Sequence, residues 1–408
     1  MALQGRRGEV EPLFAVAAVA ASDDPACRAR RWRATAISPP RRTRRALVAA
    51  CDGCTPPLRA DLALLEGDAA VRRGDYARAA GAYHDAVAGG AVLRGVVAAD
   101  RLARALAPGA GLRPVFFGDA NDIRLSEGVA SGFFWPSPAL RLTAQALAGV
   151  VEQRDVDYTR TGATIGVDRW YVRPDLELAG RAGFENYAGG AGSGALAIAD
   201  ASVRKYFRDT STLTLTGRRE SLLTAHDDNE IRAWNRIIDL EALGPSFAVD
   251  GGRLGLDKHL RDGADDRLYA ELGIQHYEDG NVRGTGYVHY QLPLDARPGS
   301  WTVLRPNGYV EAFSDPDRPA YFSPRVHSAI GLMGHTIQEH GRVRLEAELN
   351  PQMIIGSAGD VAPGGHALVD LSVQVGPARV GVAGFGFWDG TDDYWLWRAM
   401  ARVEVAFR

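Results

Sequence analysis

Apolar and polar residues alternate with a period of two along the last stretch of the chain, residues 394–408. This period is typical of a β-strand with one apolar face. The polar face carries Arg398, Arg402 and Glu404. The apolar face consists of Trp395, Trp397, Ala399, Ala401, Val403, Val405 and Phe407. Its aromatic residues lie at opposite ends, as in the girdles of a membrane barrel whose charged side chains line a polar lumen.

The same alternation recurs upstream, in segments that turn-forming clusters such as 278–281 and 376–378 separate. About sixteen strands fit between residue 115 and the end, at roughly 18–19 residues for each strand with its connection, as tilted membrane strands require. The sequence therefore predicts an all-β transmembrane antiparallel barrel over residues 112–408. The clearest alternating segments are 140–148, 176–185, 268–275, 342–349 and 369–375.

The apolar faces of these segments favour a membrane barrel over a soluble sheet. They mix alanine and glycine with leucine and valine and offer few large residues, which is too slight for a close-packed core. A lipid-facing surface needs only to be apolar, and a closed barrel satisfies every backbone hydrogen-bonding group. The sequence also lacks an apolar run of the length that a transmembrane helix requires.

The spacing of the alternating segments also predicts which connections between strands are short and which are long. Tight turns are expected at 338–341 and 376–378, and long outward connections at 314–324 and 350–366. The segment from 221 to 250 has no clear rhythm. Because the strand number is even, both ends of the barrel should lie on the periplasmic side.

Residues 1–110 are rich in alanine and arginine and predict a small α-helical domain. Small residues at Gly67 and Ala79 would let two helices approach, with Tyr76 and Tyr83 filling the space between them. This spacing resembles a tetratricopeptide repeat, and a plain helical hairpin is the alternative. The residues that carry the repeat pattern are Gly67, Gly74, Tyr76, Ala79, Tyr83 and Ala86.

Composition excludes several other function classes. The formal net charge of −3 gives no electrostatic argument for nucleic acid. Cys51 and Cys54 have zinc-like spacing without a second pair of ligands, so we expect no metal.

Residues 13–21 are apolar and follow Arg6 and Arg7. The nearby glutamates Glu9 and Glu11 do not suit a signal peptide, so a helix or a start further upstream is the alternative.

A helical repeat segment followed by a barrel of this size resembles the outer-membrane exopolysaccharide export porins. These include the poly-N-acetylglucosamine export porin and the C-terminal barrel of cellulose synthase operon protein C. Three stretches carry the resemblance: an aromatic-acidic turn with Tyr277, Asp279, Gly280 and Asn281, followed by Arg283; Tyr321, Phe322, Ser323 and Pro324; and Arg218, Arg219 and Glu220.

The resemblance implies that a growing polysaccharide passes through the polar lumen. It also implies that the helical domain lies in the periplasm and docks polymer-synthesis proteins of the periplasm or inner membrane. We expect neither enzyme activity nor a cofactor. Weak contacts suit a sliding polymer, and an ion pair between neighbouring strands is the alternative for each residue. The polymer-contacting residues that we predict are Arg141, Glu177, Arg181, Glu185, Tyr269, Glu271, Gln275, Arg342, Arg344, Glu346, Glu348, Asp370, Gln374, Arg398, Arg402 and Glu404.

Two other functions are compatible with the sequence. One is a general or solute-specific porin. The other is a soluble all-β carbohydrate-active enzyme, since Glu346 and Glu348 share a strand face and two carboxylates suffice for glycoside hydrolysis. The histidines are scattered along the sequence and predict no site of their own.

Overall fold

The structure is a computed structural model of the chain. It describes residues 106–171, 175–190, 192–207, 211–222, 237–244, 246–260, 266–297 and 300–407, together with the helical segment 76–89 and positions 60, 63–64, 66–67, 70–71, 96, 99 and 102. The apolar segment 13–21, all three cysteines and Gly74 lie outside the described residues.

Sixteen β-strands form the barrel, and each predicted alternating segment lies on one of them. The strands are β1 (Gly109–Asp119), β2 (Arg124–Ser137), β3 (Leu140–Gln153), β4 (Val156–Tyr171), β5 (Leu176–Gly189), β6 (Gly192–Tyr206), β7 (Ser211–Ser221), β8 (Ala248–His259), β9 (Arg267–Tyr277), β10 (Val282–Arg297), β11 (Ser300–Phe313), β12 (His327–His340), β13 (Val343–Ile355), β14 (Val361–Val375), β15 (Ala378–Asp389) and β16 (Tyr394–Ala406).

The strands pair antiparallel with their neighbours in sequence, and β1 pairs with β16 to close the barrel. The closing register runs from Gly109 opposite Ala406 to Asp119 opposite Leu396. A closed ladder leaves no strand edge with unpaired backbone groups, as a barrel in lipid requires. The predicted closed antiparallel barrel and its strand number are confirmed.

The outer surface of the barrel is apolar on all sides. Ile165 on β4 is 72% exposed, Leu272 on β9 is 67% exposed and Ile330 on β12 is 66% exposed. On β16, Trp395 and Trp397 point outward and Arg398 is buried inside, as the alternation predicts. Such an exposed apolar belt suits contact with lipid acyl chains. Separately, none of the described helices is long and apolar enough to cross a membrane.

The two ends of the barrel differ. At the end where β1 begins and β16 stops, here called the terminal end, several turns contain two residues, for example 138–139, 341–342 and 376–377. The opposite end, here called the loop end, carries the two longest connections, 222–247 and 314–326. The segment without a clear sequence rhythm is therefore mostly a long connection, and part of it forms the short helix α2 (Leu240–Leu243).

Two predictions on the connections need correction. The expected long connection at 350–366 is wrong, because β13 continues to Ile355 and β14 starts at Val361, so the connection is only 356–360. The ladder tolerates Pro351 and Pro363 there, since Pro351 pairs with Gly365. Arg342 does not lie on a strand face. It lies exposed in the turn between β12 and β13.

The helical part shows one local contact of the predicted kind. Helix α1 (Tyr76–Ala88) buries Ala79, Tyr83 and Ala86. A Cβ atom at Gly67 would lie 2.2 Å from the Tyr83 ring, so only glycine allows this approach. The described residues thus contain a close helix contact, but they do not support a tetratricopeptide domain.

Helix α1 is attached to the terminal end of the barrel. The Tyr76 ring meets Trp135 of β2 edge-on, with centroids 5.1 Å apart, and Trp135 stacks on Trp170 of β4 at 5.5 Å. Arg78 Nη2 donates to Asp175 Oδ1 at 2.8 Å, between β4 and β5. Aromatic contacts and a half-buried ion pair therefore hold the helix beside the lumen entrance.

Replacing Tyr76 with alanine should release α1 without unfolding the barrel, because it removes aromatic contacts worth about 1 kcal/mol. Spin labels at Gly81 on α1 and Gln374 on the barrel would report the distance. We expect a broader distance distribution for Tyr76→Ala. The matched control His84→Ala changes an exposed residue of the same helix, and its distribution should stay narrow. An unchanged distribution in Tyr76→Ala would show that the aromatic contact does not hold the helix.

Candidate functional site

The lumen is lined by polar side chains from the inward face of every strand. With the exception of Arg342, the structure places each predicted polymer-contacting residue on the inward face of its strand. Many of them form ion pairs within or between strands. The pairs, with one nitrogen–oxygen distance for each, are Arg141–Asp168 at 2.6 Å, Arg181–Asp200 at 2.7 Å, Arg204–Glu177 at 3.2 Å, Arg344–Glu346 at 2.8 Å and Arg402–Asp370 at 2.6 Å.

A fully buried ion triad lies nearer the loop end. Arg160 of β4 donates to Glu127 of β2 and to Glu185 of β5, each at 2.8 Å. Gly149 of β3 lies between Glu127 and Arg160 in the ladder. A Cβ there would lie 2.5 Å from the Glu127 Cβ, so glycine lets the carboxylate reach across β3. Tyr187 also donates its hydroxyl to Glu185.

A second buried chain of charges connects strands on the opposite wall. Arg283 of β10 contacts Glu311 of β11 at 2.5 Å. His327 of β12 lies 3.2 Å from Glu311 through Nδ1 and 3.0 Å from Asp389 of β15 through Nε2. The sequence pattern gives His327 no predicted role. Its only signal was its inward position in the alternation of β12.

The three stretches that carry the family resemblance meet at the loop end. The Tyr277 and Tyr321 rings stack with centroids 4.9 Å apart at an interplanar angle of 8°. Asn281 Nδ2 donates to the Tyr321 hydroxyl at 3.1 Å and to the Asp315 carbonyl at 2.8 Å. Gly280 has a φ of 85°, which the turn before Asn281 requires. The β9–β10 turn is thereby fastened to connection 314–326.

Tyr321 lies in that connection, outside the strands. Burial raises the pKa of its hydroxyl above the usual tyrosine value. The hydroxyl therefore stays protonated and donates to Asp279 Oδ2 at 2.9 Å. The neighbouring Phe322 ring contacts His327 edge-on at 5.6 Å, while Ser323 and Pro324 are buried.

The third stretch divides between the two faces of β7. Arg218 and Glu220 point inward and pair at 3.1 Å, and Glu220 is near enough to Tyr277 for an electrostatic interaction. Arg219 points outward and pairs with Asp250 of β8 at 2.7 Å. Two of the three residues of this stretch therefore lie on the inward face of β7 near the loop end.

An apolar cluster of described residues crosses the lumen at the loop end. Connection 222–247 contributes Leu222, Ile237, Leu240 and Leu243, all buried, and the other long connection contributes Tyr321. They pack against inward residues of strands around the barrel: Phe117, Leu125, Val151, Tyr158, Tyr187, Val249, Tyr277, Phe313, Ala329, Ile354, Phe385, Phe387, Tyr394 and Leu396. We call these buried connection residues the seal, because they occupy the space between opposite walls.

Hydrogen bonds to backbone groups of connection 222–247 hold the seal against the barrel wall. Gln153 of β3 donates to the Ile238 carbonyl at 2.8 Å and accepts from the Leu240 amide at 2.6 Å. The Ile238 amide donates to the Ala320 carbonyl at 2.9 Å, which joins the two long connections. Asp239 caps helix α2 (Leu240–Leu243) by accepting from the Ala242 amide.

Toward the terminal end the lumen contains a polar cavity of about 340 Å³. It lies on the wall from β13 through β16 and β1 to β3. Among the residues around it are Arg113, Gln145, Glu346, Asp370, Arg398, Arg402 and Glu404. The structure thus brings several predicted polymer-contacting residues together around one cavity.

Comparison with solved structures finds outer-membrane barrels. A structure titled "Bacterial polysaccharide outer membrane secretin" has a TM-score of 0.57 at 11% identity, covering 74% of this chain and 99% of that one. CdiB from Acinetobacter baumannii has a TM-score of 0.45 at 8% identity, covering 73% of this chain and 60% of that one. OpdK from Pseudomonas aeruginosa has a TM-score of 0.40 at 11% identity, covering 74% and 98%.

At these identities the first likeness shows a shared fold, and the other two are too distant to carry an argument. No protein-family model matches the sequence, and a search of curated proteins finds no match. The chain therefore has the fold of outer-membrane β-barrels, and its apolar outer surface supports an outer-membrane location.

Replacing Arg160 with leucine should destabilise the barrel by about 3–5 kcal/mol, because Glu127 and Glu185 would remain buried without their counter-charge. The temperature at which the folded band disappears in SDS electrophoresis would measure the effect. Arg181→Leu is the matched control, since Arg181 is about half exposed and exposed pairs contribute little. Equal transition temperatures for both variants would contradict this account of the triad.

Replacing Ile237 with aspartate should open the loop end, because a buried, unpaired carboxylate is strongly disfavoured inside the apolar seal. We expect higher single-channel conductance in planar bilayers than for the unchanged protein. The adjacent Ile238 is 41% exposed, so Ile238→Asp serves as the control and should conduct like the unchanged protein. If Ile237→Asp also leaves the conductance unchanged, the seal is not what limits ion flow.

Proposed function

We propose that the chain is an outer-membrane channel that exports a polysaccharide. The observation that carries the proposal is the contact between two of the three separate sequence stretches at the loop end, where Tyr277 stacks on Tyr321 and Asn281 donates to the Tyr321 hydroxyl. Those stretches are the ones that resemble exopolysaccharide export porins. A structural neighbour with the same fold is titled "Bacterial polysaccharide outer membrane secretin", which supports the same substrate class.

The proposal assigns the terminal end to the periplasm and the loop end to the cell exterior. Short turns inside and long connections outside are the rule for bacterial outer-membrane barrels. The helical segment before β1 would then lie in the periplasm, where it docks proteins that synthesise or deliver the polymer. The contact of Tyr76 with Trp135 supports this arrangement, because it keeps the helix at the entrance of the lumen.

The lumen suits a polymer that slides rather than binds tightly. A barrel with this number of strands is wide enough for an aqueous channel. Its arginines and carboxylates neutralise one another, so each contributes a weak hydrogen bond to a passing hydroxyl group. Many weak contacts orient a chain without stopping it.

The two alternative functions, a soluble enzyme and a solute-specific porin, predict different properties of the molecule. A soluble all-β enzyme does not fit the apolar belt on the outside of a closed barrel. A solute-specific porin shares that belt but needs no partner in polymer synthesis. Affinity purification that recovers polymer-synthesis proteins with the helical segment would separate export from solute uptake.

Deleting the gene should remove the polymer from the cell surface while synthesis continues, so that polymer accumulates inside the outer membrane. Surface and periplasmic carbohydrate would be measured in the deletion strain and after complementation. The unchanged gene should restore export. A gene encoding Ile238→Asp serves as the matched control and should restore it as well. Unchanged surface polymer in the deletion strain would rule out the export function.

A further inference from the structure

We propose that the polar cavity on the β13–β3 wall is a binding subsite for uncharged sugar units, and that the exported polymer is therefore neutral. This inference rests on the proposed function and specifies its substrate. The cavity lies toward the terminal end, where an entering chain would meet it after the helix α1. Its volume of about 340 Å³ is at the lower end for small-molecule sites and suits roughly one or two sugar rings.

The lining of the cavity offers both hydrogen-bond donors and acceptors. Gln145 and Ser131 can do either, Arg398 and Arg402 donate, and Glu404 accepts. A sugar hydroxyl is both a donor and an acceptor, so such a mixed wall can satisfy it in several orientations. A wall of one charge sign would instead select an ionised group.

The charged side chains around this cavity balance in number, since Arg113, Arg398 and Arg402 line it together with Glu346, Asp370 and Glu404. Two of the three carboxylates are paired within the protein. Asp370 accepts from Arg402 at 2.6 Å. Glu346 accepts from Arg344 at 2.8 Å and lies 3.0 Å from His335 Nε2. Because each carboxylate already has a cationic neighbour, neither depends on a charge of the ligand. A charged polymer would meet repulsion from one member of each pair as soon as it approached the other.

An aromatic wall adjoins the cavity through Glu346. The ladder places Trp301 of β11 beside Ile337 of β12, and Ile337 beside Glu346 of β13. The Trp301 ring meets His335 edge-on at 5.1 Å, and Arg305 lies 5.6 Å over the ring. Tryptophan combines a broad apolar surface with a polar N–H group, which suits the apolar face and hydroxyl rim of a sugar ring.

The aromatic lining continues onto the next two strands. Tyr269 of β9 stacks on His289 of β10 with centroids 5.2 Å apart, and Tyr287 of β10 lies edge-on to His289 at 5.5 Å. Aromatic rings on one wall and a hydrogen-bonding cavity beside them form a surface for a chain of sugar rings. Neither feature calls for a charge on the polymer.

Saturation-transfer NMR titrations of the purified full chain in detergent would test the subsite with four hexameric probes. Two are neutral, the hexamers of glucose and of N-acetylglucosamine. The glucosamine hexamer is cationic and the galacturonate hexamer is anionic. We expect both neutral probes to bind, and both charged probes to bind about tenfold more weakly.

The variant Trp301→Ala should weaken binding of the neutral probes about tenfold, since it removes the ring surface next to the cavity. Trp397→Ala is the matched control, because Trp397 faces outward and its loss should leave binding unchanged. Heat-modified electrophoretic mobility would confirm that both variants are folded. Equal binding by Trp301→Ala and the unchanged protein would overturn the role of the aromatic wall.

Substitutions in the Arg402–Asp370 pair test the neutrality of the cavity directly. Arg402→Gln leaves the carboxylate without this partner and should favour the glucosamine hexamer about tenfold. Asp370→Asn should favour the galacturonate hexamer to a similar degree. The double variant, which carries both substitutions, should again bind the neutral hexamers more tightly than the charged ones. Both side chains are partly exposed, so these variants should fold.

The outcomes separate this inference from the proposed function. If a charged hexamer binds best to the unchanged protein, the polymer is charged, and export stands on the deletion experiment alone. If no hexamer binds while the deletion strain loses surface polymer, the subsite is wrong and export stands. If no hexamer binds and surface polymer is unchanged, both fail.

Discussion

Closure of the hydrogen-bonded ladder between β1 and β16 is the constraint on which the rest of the structure depends. In lipid, an unpaired backbone group costs several kcal/mol, so a sheet that faces acyl chains must have no edge. Once the sheet is closed, period-two alternation separates the two environments. Residues such as Ile165 and Leu272 face outward, and the inward positions become available for charge. The polar lumen follows from the closed backbone.

The burial of the charged side chains in the lumen differs between the two ends of the barrel. Near the loop end, Arg160 and its two glutamates are fully buried, and losing one partner there is expensive. Toward the terminal end, pairs such as Arg181–Asp200 are partly exposed and contribute little to stability. The first arrangement fixes the wall behind the seal. The second leaves side chains that can exchange partners with a passing ligand.

Sequence reasoning predicted the strands because alternation is a local signal that each strand carries by itself. It placed the inward face of β16 correctly from Arg398, Arg402 and Glu404. It failed at 350–366, where Pro351 and nearby glycines are typical of a loop although the ladder includes them. The seal could not be predicted, because contacts such as Tyr277 on Tyr321 join positions distant in sequence. The same holds for His327, whose partners Glu311 and Asp389 lie on other strands.

The balance of forces in the seal determines how a proposed export channel would open. Its hydrogen bonds from Gln153 and to the Ala320 carbonyl contribute about 1 kcal/mol each. Burial of each large apolar side chain contributes about 1.5–3 kcal/mol, and Leu222, Ile237, Leu240 and Leu243 are all buried. Apolar burial therefore dominates the closed state. In the proposed export channel, opening would therefore require work from a polymer driven through the barrel or from a partner that binds the displaced connections.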